Sequence, residues 1–252
     1  MFRYFWVAEE LLPPGLGFGM FSVAHCAWLA ALGLGIFGMC RGYRALGSAG
    51  RSRMRLILAF SLPAAEAARD VVIAAQGVFY PDYWPLHLCG AAMFLYLGYA
   101  LRPNAFCGEV LYSLCLPGAA AALLFPNWAG ITPLLQFQCI YSFLYHGLLV
   151  GGILMLLTAG ELRPKPGGLK YPLLFLLAAV PPLYWINLKL GTNFFFLNLP
   201  APGSPLEPMA KAFGSPGYLA PYGVLAAAVV SLFYLPLWVR SARRRRAAQK
   251  IG

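Results

Sequence analysis

The chain has 252 residues, of which 60% are apolar and 11% charged, and it carries a formal net charge of +11. A soluble domain of this length needs roughly 25% charged residues to cover its surface, so the composition excludes one and puts the long apolar runs in lipid. The basic residues cluster in "CRGYRALGSAGRSRMR" (40–55), "LRPKPGGLK" (162–170) and "VRSARRRRAAQK" (239–250), each beside an apolar run; this is the charge pattern of a membrane protein's cytosolic loops, not a nucleic-acid face.

The chain opens on "MFRYFWVAEELLPPG", which has aromatics and two glutamates where a signal peptide has a basic start, so an uncleaved interfacial aromatic anchor is expected. A first apolar run over 18–40 contains His25 and Cys26, read as packed or pore-lining. The second, over 54–77, holds "SLPAAEAARDVVIAAQG", in which Glu66, Arg69 and Asp70 share one helical face. An ionisable group at mid-membrane costs about 2.5 to 3.5 kcal/mol, so each needs a partner or a role. Arg69 neutralises one carboxylate, and the other is expected to meet a partner on another helix or to be protonated.

The third run, 84–101, is short and starts with "YPDYWPLHLCG". A thiolate is a strong nucleophile, but a free thiol with a pKa near 8.5 requires a neighbouring base to ionise. His87 and Cys89, two apart, point to different sides of a helix, so a histidine from another span suits Cys89 better. After a fourth run over 106–125, the fifth, 134–158, supplies one: in "QFQCIYSFLYHGLLVGG", Gln138, Ser142 and His146 recur every four residues as a polar stripe. At 1.5 Å per residue His146 lies roughly 12 Å below the membrane boundary and Cys89 about 7 to 8 Å, both in the outer half. His87, Cys89 and His146 have no recognised metal-ligand spacing. The sixth run, 171–194, ends "YWINLKLGTNFFFLN", where Asn187 and Asn193 are amides suited to binding a carbonyl, a head group or a catalytic side chain. A proline- and glycine-rich loop (198–217) follows, then a seventh run over 217–239.

These runs predict an all-α polytopic membrane protein: one seven-helix transmembrane domain over 1–239 and a basic cytosolic tail over 240–252. The loops after spans one, three and five, together with the tail, hold 15 of the 19 Lys and Arg residues. That asymmetry predicts an N-terminus outside and a C-terminus in the cytosol. Membrane lipids are the expected partner; no nucleic acid, metal or soluble cofactor is expected.

"PLHLCG" opening span three, "FLYHG" in span five and "NFFFLNLPAPGSPLEP" closing span six together resemble the YwaF-like bacterial integral membrane proteins, whose eukaryotic relative is transmembrane protein 164. The resemblance runs from about Glu66 to Tyr222 and implies a multi-pass protein of the bacterial cytoplasmic membrane. It also implies acyl transfer between phospholipids through a cysteine assisted by a histidine, which map onto Cys89 and His146. On this reading the chain is a lipid acyltransferase or acyl hydrolase working through a thioester, with Asn193 or His87 on the oxyanion and Glu66 orienting a histidine or the head group. A carrier or channel-like protein, with Glu66, Arg69, Asp70 and His146 lining a polar cavity, is the alternative the span residues leave open.

Overall fold

The structure is a computed structural model and describes residues 2–249. Every expected run is helical: α1 (Val23–Ala45), α2 (Ser48–Ala74), α3 (Leu88–Leu101), α4 (Ala105–Val110) continuing through a π-helical turn (Leu111–Cys115) into α5 (Leu116–Leu124), α6 (Phe137–Thr158), α7 (Lys170–Leu190), a short α8 (Leu206–Phe213) and α9 (Leu219–Gln249). Strands are absent among the described residues. Side-chain caps mark several starts. Ser22 accepts from the His25 N–H, Asn104 from that of Cys107 and Gln136 from that of Cys139, each satisfying one N–H that the first helical turn leaves free. The π turn precedes Pro117, whose missing N–H removes one rung of the helical ladder and lets the turn widen.

Six segments among the described residues are long and apolar enough to cross a membrane: Val23–Ala45, Pro81–Leu101, Ala105–Gly130, Phe137–Thr158, Lys170–Leu190 and Leu219–Arg243. The chain is thus an all-helical, multi-pass membrane protein. The expected second span, α2, is a continuous 27-residue helix, but Arg51, Arg53, Arg55, Glu66, Arg69 and Asp70 keep it out of the apolar set, and the count of seven rests on it alone. The basic residues from Arg240 to Arg246 lie on α9, which runs on without a break to Gln249; residues 250–252 of the expected tail lie outside the described residues.

The centre of the bundle is α6, which contacts α1, α2, α3 and α5. Small residues permit this. A Cβ on Gly147 would lie 2.7 Å from Leu32 of α1, and one on Gly152 would lie 2.7 Å from Leu58 of α2 and 3.0 Å from the Tyr96 ring of α3. In lipid, where helix association draws on close packing rather than on hydrophobic burial, such positions set the approach of the helices. Gly152→Val is expected to destabilise the protein by about 1–3 kcal/mol through overpacking, seen as a lower thermal unfolding midpoint in detergent. Outward side chains such as Leu34, Phe37, Leu177 and Leu232 are exposed apolar groups that lipid would cover.

Two polar knots lock the end of the bundle that carries the basic loops. Glu161, just past α6, takes Arg55 of α2 at 2.7 Å and the Tyr43 hydroxyl of α1 at 2.8 Å, while its carbonyl accepts from Tyr99 of α3. Glu109 of α4, buried, accepts from the Lys165 N–H and from the Tyr234 hydroxyl of α9, both at 2.8 Å. At the opposite end the N-terminal segment forms a strap across α2 and α6. The Gln76 side chain accepts from the Ala8 N–H and donates to the Trp6 carbonyl, Gln136 donates to the Val7 carbonyl, and Gln138 accepts from the Glu9 N–H.

Candidate functional site

Beneath that strap lies a cavity of about 100 Å³, lined by Glu66, Arg69, Asp82, Tyr83, Trp84, Pro85, His87, Cys89, Gly90, Trp128, Tyr141, Ser142, Tyr145 and His146. It joins the polar face of α2, the entrance of α3 and the first half of α6. Of the residues singled out in the sequence, Glu66, Arg69, His87, Cys89, Ser142 and His146 meet there. The walls are otherwise aromatic, and this interior mixture of a thiol, two imidazoles and an ion pair is costly to bury without a role.

The charged group of α2 is more tightly knit than its sequence spacing implies. Arg69 bonds both carboxylates rather than one: its Nη2 lies 2.8 Å from Glu66 and 2.6 Å from Asp70, and it also donates to the Tyr83 carbonyl. The second Glu66 oxygen accepts from the Tyr141 hydroxyl of α6, the expected partner on another helix. The guanidinium lies over the Tyr83 and Tyr141 rings at 5.4 and 5.2 Å, a cation–π arrangement that favours its charge in a dry site.

Cys89 occupies the first turn of α3, two residues after the His87 N-cap position. Its carbonyl accepts from the Tyr145 hydroxyl at 3.2 Å, which ties the Cys89 backbone to the residue next to His146. His146 is buried, and its Nδ1 lies 2.7 Å from the Ser142 carbonyl. A carbonyl only accepts, so Nδ1 carries the hydrogen and Nε2 keeps its lone pair, the tautomer a proton acceptor requires. The indole of Trp128 stacks on the imidazole, with centroids 5.3 Å apart and planes 12° from parallel. That face would favour an imidazolium once a proton arrives. His87, the second imidazole, packs against Phe194 and Phe196 at 5.2 and 5.6 Å.

Four expected site residues lie away from the cavity wall. Asp70 is spent on Arg69. Gln138 sits one turn above Ser142, where it holds the strap and donates to the Tyr83 hydroxyl. Asn187 and Asn193 shape the turn after α7 instead of facing a ligand. Asn187 accepts from the Phe194 N–H and donates to the Phe194 carbonyl, and Asn193 accepts from the N–H groups of Asn198 and Leu199. They brace a backbone in which Phe195 and Phe196 take the left-handed conformation, with φ of 57° and 54°, one that costs bulky residues about 1–3 kcal/mol each. His25 is packed: its Nδ1 accepts from the Phe21 N–H, so its Nε2 donates to the Leu123 carbonyl, 2.8 Å away.

The sequence reading missed Tyr141, Tyr145, Trp128 and Gly90. Tyr141 and Tyr145 form an i, i+4 pair flanking the Ser142–His146 stripe, so the spacing was a usable signal. Trp128 reaches the site from the loop between α5 and α6 and has no such mark.

The strap adds one ionisable group outside the spans. Burial, together with the neighbouring charge of Glu10, pushes the Glu9 carboxyl up to about 7 from 4.5, against the opposing pull of Arg69. A carboxyl raised by folding holds its proton more tightly in the folded state. Its contribution to stability is therefore full below 4.5 and is lost as the pH rises through 7. The loss is at most about 1.4 kcal/mol per pH unit, reduced by solvent screening of a half-buried group. Glu9→Gln is expected to flatten the unfolding midpoint over that interval, measured by thermal denaturation of the detergent-solubilised protein.

The architecture and cavity define a helical membrane protein with an aromatic-walled polar site between α2, α3 and α6. The model of the TMEM164 family matches residues 20–241, and the chain belongs to that family. No curated protein and no solved structure matches the chain.

Proposed function

We propose that the protein is a membrane-embedded lipid acyltransferase or acyl hydrolase in which Cys89 is the nucleophile and His146 its base. The observation that carries the reading is that Cys89 and His146, the latter in its proton-accepting tautomer, line one cavity. His146 Nε2 takes the thiol proton as the sulfur attacks the ester carbonyl carbon, and the carbonyl electron pair moves onto oxygen. Collapse of the tetrahedral species re-forms the carbonyl and breaks the bond to the lyso-lipid oxygen, which leaves with the proton from His146. The same imidazole then takes a proton from an acceptor hydroxyl, of a second lyso-lipid or of water, which attacks the thioester and returns Cys89 to its thiol.

The size of the cavity supports a division of the substrate. About 100 Å³ is near the share of three water molecules and well below the roughly 300–1,000 Å³ of sites that enclose a whole drug-sized ligand. It suits an ester group, with chains and head group outside. In this reading α2 completes seven spans, the basic loops face the cytosol and the site lies in the outer half of a cytoplasmic membrane.

The test uses purified protein in liposomes that contain a phospholipid with an isotopically labelled acyl chain and an unlabelled lyso-phospholipid. The label is expected on the acceptor and, in quenched samples, as a hydroxylamine-labile mass on the peptide bearing Cys89. Transfer at the wild-type rate by folded Cys89→Ala protein would end the proposal.

A further inference from the structure

We propose that the backbone N–H groups of Cys89 and Gly90, in the first turn of α3, form the oxyanion hole for the ester carbonyl that Cys89 attacks. This rests on the acyl-transfer reading above and names the group that stabilises its intermediate.

The first turn of a helix leaves its N–H groups without carbonyl partners. In α3 the helical ladder begins with the Ala91 N–H, which donates to the His87 carbonyl; those of Cys89 and Gly90 have no acceptor oxygen among the described residues, and His87 provides no side-chain cap. The two N–H groups belong to the residue that carries the Cys89 sulfur and to the one directly after it. Cys89 and Gly90 line the cavity together with the buried imidazole of His146, whose Nε2 has no partner among the described residues. A carbonyl carbon bonded to that sulfur carries its oxygen one bond further into the same space, where the two donors and the positive end of a 14-residue helix meet the charge that develops on it.

Gly90 is what lets the donors sit there. A Cβ at this position would lie 2.4 Å from the Pro85 oxygen and 2.6 Å from its carbonyl carbon, so the loop can fold back onto the helix start only if residue 90 has no side chain. The donor that the sequence suggested, Asn193, is unsuited: its amide nitrogen donates to the Leu199 carbonyl and its oxygen is taken by two backbone N–H groups. His87 is the competing donor, since it lines the cavity.

The experiment acylates Cys89 with a short p-nitrophenyl ester carrying ¹³C at the carbonyl and reads the thioester band by isotope-edited infrared difference spectroscopy. Wild-type protein is expected to give a band at lower frequency than the same thioester on denatured protein, and His87→Ala is expected to keep that shift. In Gly90→Ala the band is expected to move back toward the denatured position, and acyl transfer to fall about 10²–10³-fold. Alkylation of Cys89 by iodoacetamide, which forms no oxyanion, is expected to change less than about threefold. If Gly90→Ala does not fold, the wild-type band and His87→Ala decide the matter. An unshifted band on an acylated wild-type protein, or a shift that disappears in His87→Ala, overturns the inference while leaving Cys89 as nucleophile. Failure to acylate Cys89 at all overturns the acyl-transfer reading, and the inference with it.

Discussion

His146→Gln is expected to lower acyl transfer about 10²–10⁴-fold, the range a positioned acid–base group supplies. Glutamine fills similar space but cannot carry a proton from thiol to leaving oxygen. In the proposed reaction the neutral imidazole serves both halves: its Nδ1 hydrogen is fixed on the Ser142 carbonyl, and Trp128 covers one face. Without it, the thiol must ionise unaided. Iodoacetamide alkylation of Cys89 in the variant is therefore expected to be slow at neutral pH and to recover toward alkaline pH, as for a free thiol. A matching loss of turnover with unchanged alkylation at all pH values would show that His146 serves the substrate and not the sulfur.

The second large effect falls on stability. Arg69→Met is expected to cost about 3–5 kcal/mol, the usual consequence of leaving buried charge without its partner. The side chains of Arg69 and Glu66 are only 14% and 10% exposed, and one guanidinium serves Glu66, Asp70 and the Tyr83 carbonyl. Adding Glu66→Gln is expected to recover part of the loss, because the orphaned carboxylate is then gone, although Tyr141 loses its charged acceptor. Unfolding midpoints of the two single variants and the double variant form a thermodynamic cycle that measures the coupling. Additive losses would mean that the pair is held by the surrounding aromatic rings and contributes no attraction of its own.

The helices were legible because lipid imposes a minimum apolar length that few other constraints mimic. That Cys89 and His146 would line one cavity was legible for a related reason: a thiol and an imidazole at similar expected depths stand out against aliphatic neighbours. Amides do not carry the same information. Asn187 and Asn193 look in sequence like ligand-binding groups, yet they close a turn in which two phenylalanines hold positive φ. The same ambiguity hid the strap, where the amides of Gln76, Gln136 and Gln138 prove to be clamps. Gly90 could be found only once Pro85 was known to fold back on it, a contact with no periodic signature.

The strap has a consequence for which substitutions the chain tolerates. Its clamps grip main-chain groups of residues 6 to 9, so they do not read the side chains there. Trp6, which is exposed, is replaceable by residues of quite different shape, whereas buried Ala8 must stay small. The restriction passes to three glutamines far along the chain, and a homologue with an altered first segment is expected to keep those amides.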